Sequence, residues 1–282
     1  MVFAAYAIGY NLLLGYTGLM SLGHAMFFST GLYATGLSVF YLGFGAVEAF
    51  LLGLVASIVM SAIMAVITLR TAGVFFLIVT MIFSQVFYLA TLYFNPITFG
   101  DQGLVLTGRL KPLEVAGLII DFSSSVVKYN LALMVFAASF LFGLWLVNSA
   151  FGRILVAVRE NEERAEMLGY DTLGFKRLAF IISGTIAGIS GSSYALIFSY
   201  VGSNFAFILN SINPLLWTLL GGAGTTVGPL VGTALMIYII DFTSSITSSY
   251  LIAVGAMLIA VILGFPLGIV GGIRRRWLRW LP

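Results

Sequence analysis

The chain has 282 residues, 61% of them hydrophobic and 8% charged, with 13 Lys/Arg against 10 Asp/Glu, 32 Gly and no Cys. Soluble domains are about 25% charged, so this composition excludes a water-soluble globule, and its hydrophobicity excludes disorder. Without cysteine there is no disulfide frame, thiolate metal site or Cys nucleophile, and a net charge of +3 gives no argument for nucleic acid.

Charge is absent from 1–47 and then from 49–69, 71–100, 129–152, 178–240 and 242–273. A helix crossing the hydrocarbon core takes roughly 20 apolar residues and satisfies its own backbone amides. With Gly, Asn and Pro clusters read as breaks, the runs predict nine spans near 2–18, 25–45, 47–69, 73–94, 129–149, 178–200, 205–222, 226–244 and 250–271, in a range of about eight to ten. The fold class is an all-α, polytopic transmembrane helix bundle, with 1–282 as one domain. The 2–18 and 205–222 segments are the shortest, and a half-helix or re-entrant form is open for both. No basic n-region precedes Val2, so no cleaved signal peptide is expected. A β-barrel is excluded because runs such as Leu51-Leu52-Gly53-Leu54-Val55-Ala56 do not alternate apolar with polar. The pairs Gly184/Gly188, Gly228/Gly232 and Gly264/Gly268 have the small-xxx-small spacing of close helix contacts, although abundant Gly alone would also produce such pairs.

Lys and Arg set the orientation. If 149–177 and the C-terminus face the cytoplasm, the inside holds Arg70, Arg153, Arg159, Arg164, Lys176, Arg177, Arg274, Arg275, Arg276 and Arg279, while the outside holds Arg109, Lys111 and Lys128. That bias predicts a cytoplasmic C-terminus.

Two polar islands interrupt the apolar runs. The first, 95–128, falls outside; Gly100-Asp101-Gln102-Gly103 and Gly108 signal turns, and Leu113–Ile120 has the length of a short interfacial helix. It would receive a soluble partner, line a vestibule or simply connect two spans. The second, 153–177, carries Arg153, Arg159, Glu160, Glu162, Glu163, Arg164, Glu166, Asp171, Lys176 and Arg177. Leu155, Val158, Ala165 and Leu168 recur there at near-helical spacing, and Gly169 is a helix stop. A loop that only obeyed the positive-inside rule would be mostly basic. Five acids among five bases fit a surface shaped for a partner protein better.

Ionisable groups inside spans are functional candidates because they are costly there. Glu48, Arg70 and Asp241 fall at span ends, where interfacial placement explains them. His24, the single histidine, lies in Tyr16-Thr17-Gly18-Leu19-Met20-Ser21-Leu22-Gly23-His24, whose small and polar residues break the first apolar run as in discontinuous helices that line a path. It is open to two readings, one structural hydrogen bond or a direct substrate or proton role. Asn11, Ser21, Gly23, His24, Gln85 and Asn213 are the candidate path residues, with Asn210 the other large polar side chain in a span. A path of Gly, Ser, Thr and Asn without fixed charge suits a neutral or zwitterionic solute and lacks the relay of an ion-coupled pump. No G-x-x-x-x-G-K-[ST] phosphate loop, H-E-x-x-H or G-x-S-x-G is present, and Gly221–Gly228 has no Lys to reach a phosphate, so it reads as a tight turn.

Several stretches resemble the permease subunits of branched-chain amino acid ABC transporters, the LivM/LivH family with its urea and amide relatives. They are Asn11-Leu12-Leu13-Leu14-Gly15-Tyr16-Thr17-Gly18, Ser21-Leu22-Gly23-His24-Ala25-Met26-Phe27-Phe28, Leu69-Arg70-Thr71-Ala72-Gly73-Val74-Phe75-Phe76, Gly152-Arg153-Ile154-Leu155 through Arg159-Glu160-Asn161-Glu162, Gly169-Tyr170-Asp171, Ala179-Phe180-Ile181-Ile182-Ser183-Gly184 and the Gly221–Gly228 turn. The match covers nearly the whole chain and is closer to LivM than to LivH. The resemblance implies a transport subunit, not an enzyme, that binds no cofactor and uses ATP through two separate ATP-binding cassette subunits. It further implies a homologous permease subunit, an extracytoplasmic solute-binding protein and a place in the cytoplasmic (inner) membrane. In such importers a cytoplasmic coupling segment, here within 149–177, docks on the ATPase through a loop resembling E-A-A-x-x-x-G. Glu163-Arg164-Ala165-Glu166-Met167-Leu168-Gly169 matches at Glu163, Ala165 and Gly169 and departs at Arg164; the downstream Ile-x-Leu-Pro is missing. The implied coupling residues are Arg159, Glu160, Asn161, Glu163, Arg164, Ala165 and Gly169. Many relatives have one more hydrophobic segment before the Asn11 region. The resemblance predicts inward transport of branched-chain or other hydrophobic, neutral amino acids. Its alternatives are a urea or short-chain amide permease, an ion-coupled secondary transporter, and an intramembrane enzyme using His24 or a nearby Ser.

Overall fold

The computed structural model describes residues 1–110, 113–115, 118–120, 122, 124–246, 252, 255–256, 259, 263–264 and 268–276. In chain order, α1 (Val2–Asn11) runs into a π-helical segment, Leu12–Thr17, stopped by Gly18 at φ 74°. Next, α2 (His24–Leu37) ends in a second π-helical turn, Ser38–Leu42, stopped by Gly43 at φ 63°. Then come α3 (Ala46–Thr68), α4 (Gly73–Tyr93), the short α5 (Asn95–Thr98) and the strands β1 (Leu104–Val105), β2 (Leu113–Val115) and β3 (Leu118–Ile120). Beyond them lie α6 (Ser125–Asn148), α7 (Ala150–Glu160), α8 (Glu162–Met167) and α9 (Thr172–Phe198). Strand β4 (Tyr200–Val201), a 3-10 turn (Ser203–Ala206), α10 (Leu209–Gly221), α11 (Gly228–Ile246) and α12 (Gly268–Arg276) complete the described chain.

Six helices among the described residues are long and apolar enough to cross a membrane: His24–Leu42, Ala46–Thr68, Gly73–Tyr93, Ser125–Asn148, Thr172–Phe198 and Gly228–Ile246. They occupy six of the nine predicted spans. The 2–18 segment is a shorter apolar helix, Val2–Thr17. The 205–222 segment is interrupted, because only the 13 residues of α10 are α-helical, with Pro214 inside them. Most of 250–271 lies outside the described residues. One expectation is corrected: Leu113–Ile120 is not helical, since β2 and β3 pair antiparallel with Leu113 opposite Ile120. So short a segment cannot hold a helix without packing, and Val115, Ile119 and Ile120 are β-branched.

Burial separates an interior from a periphery. In 18-residue apolar windows, α2 is 67% and α9 72% buried, against 17–28% for α3, α4, α6 and α11. Small residues allow that interior to form. A Cβ on Gly188 would collide with the Ser57 side chain, one on Gly31 with the Gly188 carbonyl, and one on Gly191 with the Phe28 carbonyl. Gly184 packs on the Ser61 and Phe27 side chains, whereas Gly188 lies at a true backbone approach. Gly232 does as well, where α11 meets the Trp217 carbonyl of α10, whereas Gly264 has nothing within 4 Å. Tyr6, Met26, Phe27, Phe28, Phe76, Phe180 and Trp217 fill the space around these contacts, with the Phe27 and Phe180 rings edge-on at 5.4 Å.

The helices alternate in direction, so the bundle has two distinct ends. At one lie α7, α8, Gly18 and the α10–α11 turn, and the start of α12 packs on Gly222. At the other, β1 pairs with β4 (Leu104 opposite Val201), Ser203 Oγ donates to Asp101 at 2.7 Å, and Tyr41 OH donates to the Ile97 carbonyl at 3.1 Å. Arg109 lies over the Phe40 ring at 3.7 Å and donates to the Phe40 carbonyl. Glu48 caps α3 by accepting from Gly45 N–H at 3.1 Å; Glu48, Arg70 and Asp241 are all exposed.

Candidate functional site

The polar segment 149–177 folds into a framed hairpin of short helices. Ser149 caps α7 by accepting from Gly152 N–H, and the buried face of α7 carries Leu155 and Val158. Leu155 joins Leu12, Tyr16, Leu146 and Ala179 in one apolar cluster, which holds α7 against α1 and α9. At Asn161 the backbone turns extended, and its side chain caps α8 by accepting from Arg164 N–H at 2.8 Å. The acidic Glu162 and Glu163 fall in that helix's first turn, where the helix dipole favours them. Gly169, at φ 88°, ends it: Gly169 N–H donates to the Glu166 carbonyl and Tyr170 N–H to the Ala165 carbonyl, the paired bonds of a Schellman stop. Asp171 then caps α9 through Gly174 N–H at 3.0 Å, Thr172 Oγ1 donates to Glu166 at 2.7 Å, and Lys176 pairs with Glu162.

The seven coupling residues read from the sequence thus divide by contact. Ala165 is buried, while Asn161 and Gly169 shape the ends of α8. Arg159 donates back to the Gly15 carbonyl of the first span. Glu160, Glu163 and Arg164 are left on the outer surface. Beside them stand two residues that helical spacing did not single out as surface: Met167 is 80% and Leu168 72% exposed. Spacing puts Leu168 on the inward face, but α8 stops one residue before it.

Three of the six candidate path residues, Ser21, Gly23 and His24, come together around the break between α1 and α2. Tyr10 OH donates to the Ser21 carbonyl at 2.8 Å, and Gly23 N–H donates to Ser21 Oγ at 3.2 Å. Leu22 N–H donates to Thr80 Oγ1 at 3.2 Å, and Gly23 packs too closely on the Thr80 carbonyl to carry a side chain. Ala25 N–H donates to Ser211 Oγ at 2.9 Å. The non-helical backbone here is satisfied by side chains of α4 and α10, the condition for a broken helix inside a bilayer. His24 is fully buried, with Nε2 2.8 Å from Ser183 Oγ. Ser183 donates to the Gly9 carbonyl at 2.6 Å, so its oxygen accepts from His24 and the proton sits on Nε2. The Tyr10 ring lies edge-on to the imidazole at 4.6 Å.

Asn11 faces the other way, into the α10–α11 turn. Its Oδ1 accepts from Gly224 N–H and its Nδ2 donates to the Thr225 carbonyl, both at 2.9 Å. Gln85 and Asn213 are half-buried on α4 and α10, and Asn213 Nδ2 donates to Asn210 Oδ1 at 3.4 Å. Among the described residues no Asp, Glu, Lys or Arg is buried, and no cluster of three His, Asp or Glu has metal-binding geometry. A cavity of about 680 Å³ between α3, α6 and α9 is lined by Phe50, Ile58, Leu131, Met134, Ile181 and Ile186, among others. So apolar a lining suits a lipid or a helix, not an amino acid headgroup.

A family model described as branched-chain amino acid transport system, permease component, matches residues 1–273. Over 288 residues the chain is 24% identical to the high-affinity branched-chain amino acid transport system permease protein LivM of Salmonella typhimurium, covering 96% of this chain and 68% of that protein. It is 23% identical over 292 residues to the corresponding LivH of Escherichia coli, covering 95% and 91%. A shorter similarity, 28% over 144 residues and 48% of this chain, is to the autoinducer 2 import system permease protein LsrC of Yersinia pseudotuberculosis, of which it covers 38%. No solved structure matches the chain.

Proposed function

The chain belongs to the branched-chain amino acid transport permease family, and from that premise we propose that it is the membrane subunit of an ATP-driven importer of branched-chain or other hydrophobic, neutral amino acids. Of two separate ATPase subunits, one docks on the outer surface of α7 and α8. A homologous permease completes the membrane part, and an extracytoplasmic binding protein delivers solute at the opposite end, where β1 and β4 pair. The Lys/Arg bias supports a cytoplasmic position, at the inner membrane, for α7, α8 and α12.

The observation that carries this reading is the exposed group Glu160, Glu163, Arg164, Met167 and Leu168, held on a capped frame at the basic end. Apolar anchors ringed by charge make a docking patch. The interior supports the solute class: hydroxyls, amides and backbone line it without a buried charge among the described residues, so a zwitterion or neutral solute meets no opposing fixed charge. The similarity to an autoinducer 2 permease favours keeping a second reading, another small neutral solute such as urea or a short amide, on the same scaffold.

Reconstitution in liposomes with the partner permease and binding protein, with and without the ATPase subunits, tests the proposal. Labelled leucine should accumulate only with ATPase and ATP. Equal accumulation without them would refute ATP coupling and favour a secondary transporter, whereas ATP-dependent uptake of urea but not leucine would move the reading to the second solute class.

A further inference from the structure

The coupling segment and the polar residues of the first span, separate in sequence, meet at a single junction. Arg159, in the last turn of α7, donates from Nη1 to the Gly15 carbonyl. Gly15 lies in the π-helical segment Leu12–Thr17, where the final carbonyls of the helix have no partner of their own. The guanidinium therefore sits at the negative end of that helix. Gly15 has no room for a side chain, since a Cβ would strike Asn11 Oδ1 and the Gly224 nitrogen. Asn11 closes the junction by binding Gly224 N–H and the Thr225 carbonyl. The end of α7, the end of α1 and the α10–α11 turn are thus joined by two side chains, above the apolar cluster of Leu12, Tyr16 and Leu155.

From this junction α1 leads directly to the broken segment. Tyr10, next to Asn11, holds the Ser21 carbonyl, and Gly9 accepts from the Ser183 hydroxyl that fixes His24. A displacement of α7 reaches the 18–23 break through one helix, and reaches the α10–α11 hairpin through Asn11. We propose that Arg159 and Asn11 are positioning residues of a mechanical relay, joining the ATPase-docking surface to the broken helix and to the α10–α11 hairpin without touching ATPase or solute. The proposal rests on the ATP-driven reading given above.

The test uses the assembled transporter in proteoliposomes with binding protein, labelled leucine and ATP, and reads three quantities: ATPase co-purification, ATP hydrolysis and uptake per ATP hydrolysed. Arg159→Met keeps the aliphatic stem and the apolar cluster beneath it. It should leave co-purification and hydrolysis within about twofold of wild type and lower uptake per ATP by about tenfold, a typical size for coupling between sites. Unchanged uptake per ATP overturns the relay, and so does loss of ATPase co-purification, which would make Arg159 a docking residue. If wild-type uptake itself needs no ATPase, the functional reading fails instead, and the relay with it.

A second variant replaces the hydrogen bond by a covalent one. A Cβ on Gly18 lies 3.9 Å from the Arg159 Cβ, the separation a disulfide requires, and the chain has no native cysteine. With cysteine-free partner subunits, and with Gly18→Cys alone as the control for the strain of a side chain at φ 74°, reduced Gly18→Cys/Arg159→Cys should be as uncoupled as Arg159→Met. Oxidation should restore uptake per ATP by rejoining α7 to α1. Further loss on oxidation would show that the two elements must separate during the cycle and would overturn the relay, as would wild-type coupling in the reduced protein.

Discussion

Ser183 shows how much one hydroxyl arranges in this interior. It accepts from His24 on α2 and donates to the Gly9 carbonyl on α1, joining three helices at one oxygen. Ser183→Ala leaves a buried imidazole N–H without a partner, which costs roughly 1–3 kcal/mol. The expected outcome is a lower thermal midpoint of the purified protein with ATPase co-purification intact. His24 stood out in the sequence as a singular residue, and the break around it was legible from its Gly and Ser content. Its partner was not, because 159 positions separate His24 from Ser183 and α9 offers Ser190, Ser192 and Ser193 beside it. The same holds for Arg159, whose bond to Gly15 crosses 144 positions and points opposite to the outward role its segment implied.

Elements were more legible than contacts. The charge-free runs mark six of the long helices, because in lipid a span must be apolar throughout and charge can fall only between spans. What they hide is where an apolar run stops being helical. The 205–222 segment is as apolar as its neighbours, yet a 3-10 turn and Pro214 leave only a short helix. The β2–β3 hairpin was invisible for the opposite reason: strand pairing is a relation between segments, not a pattern in either one. In the 149–177 segment, by contrast, Gly169 announced its own place as a helix stop. Gly169→Ala would force a side chain into a left-handed backbone at φ 88°, costing about 1 kcal/mol. Because the strain falls on the exit of α8, ATPase co-purification should drop roughly fivefold, the factor such an energy represents. The thermal midpoint of the bundle should move little.

At the scale of the whole molecule, the scarce charges record an orientation. Arg70 and the α7–α8 charges lie at one end and Arg109 at the other, as alternating helices require. Cysteine substitution in a chain without native thiols checks this directly. Cys at Met167 should be modified by a membrane-impermeant maleimide only in inside-out vesicles. Cys at Val105, 58% exposed on β1, should react only in right-side-out cells. Labelling of both from one side would refute the two-ended topology.

The backbone approaches at Gly31, Gly188 and Gly191 bear on how such a bundle can deform. Where carbonyls of one helix rest on the α-carbons of another, no side chains intervene to be repacked, and sliding by even a fraction of a turn would drive backbone into backbone. Close-packed interiors of this kind have discrete alternatives and do not shear smoothly. Helices α2 and α9 therefore behave as one stiff beam. Flexure is left to the helices that touch the beam through larger side chains along its flanks, so tolerance to bulky substitution should rise with distance from that glycine seam.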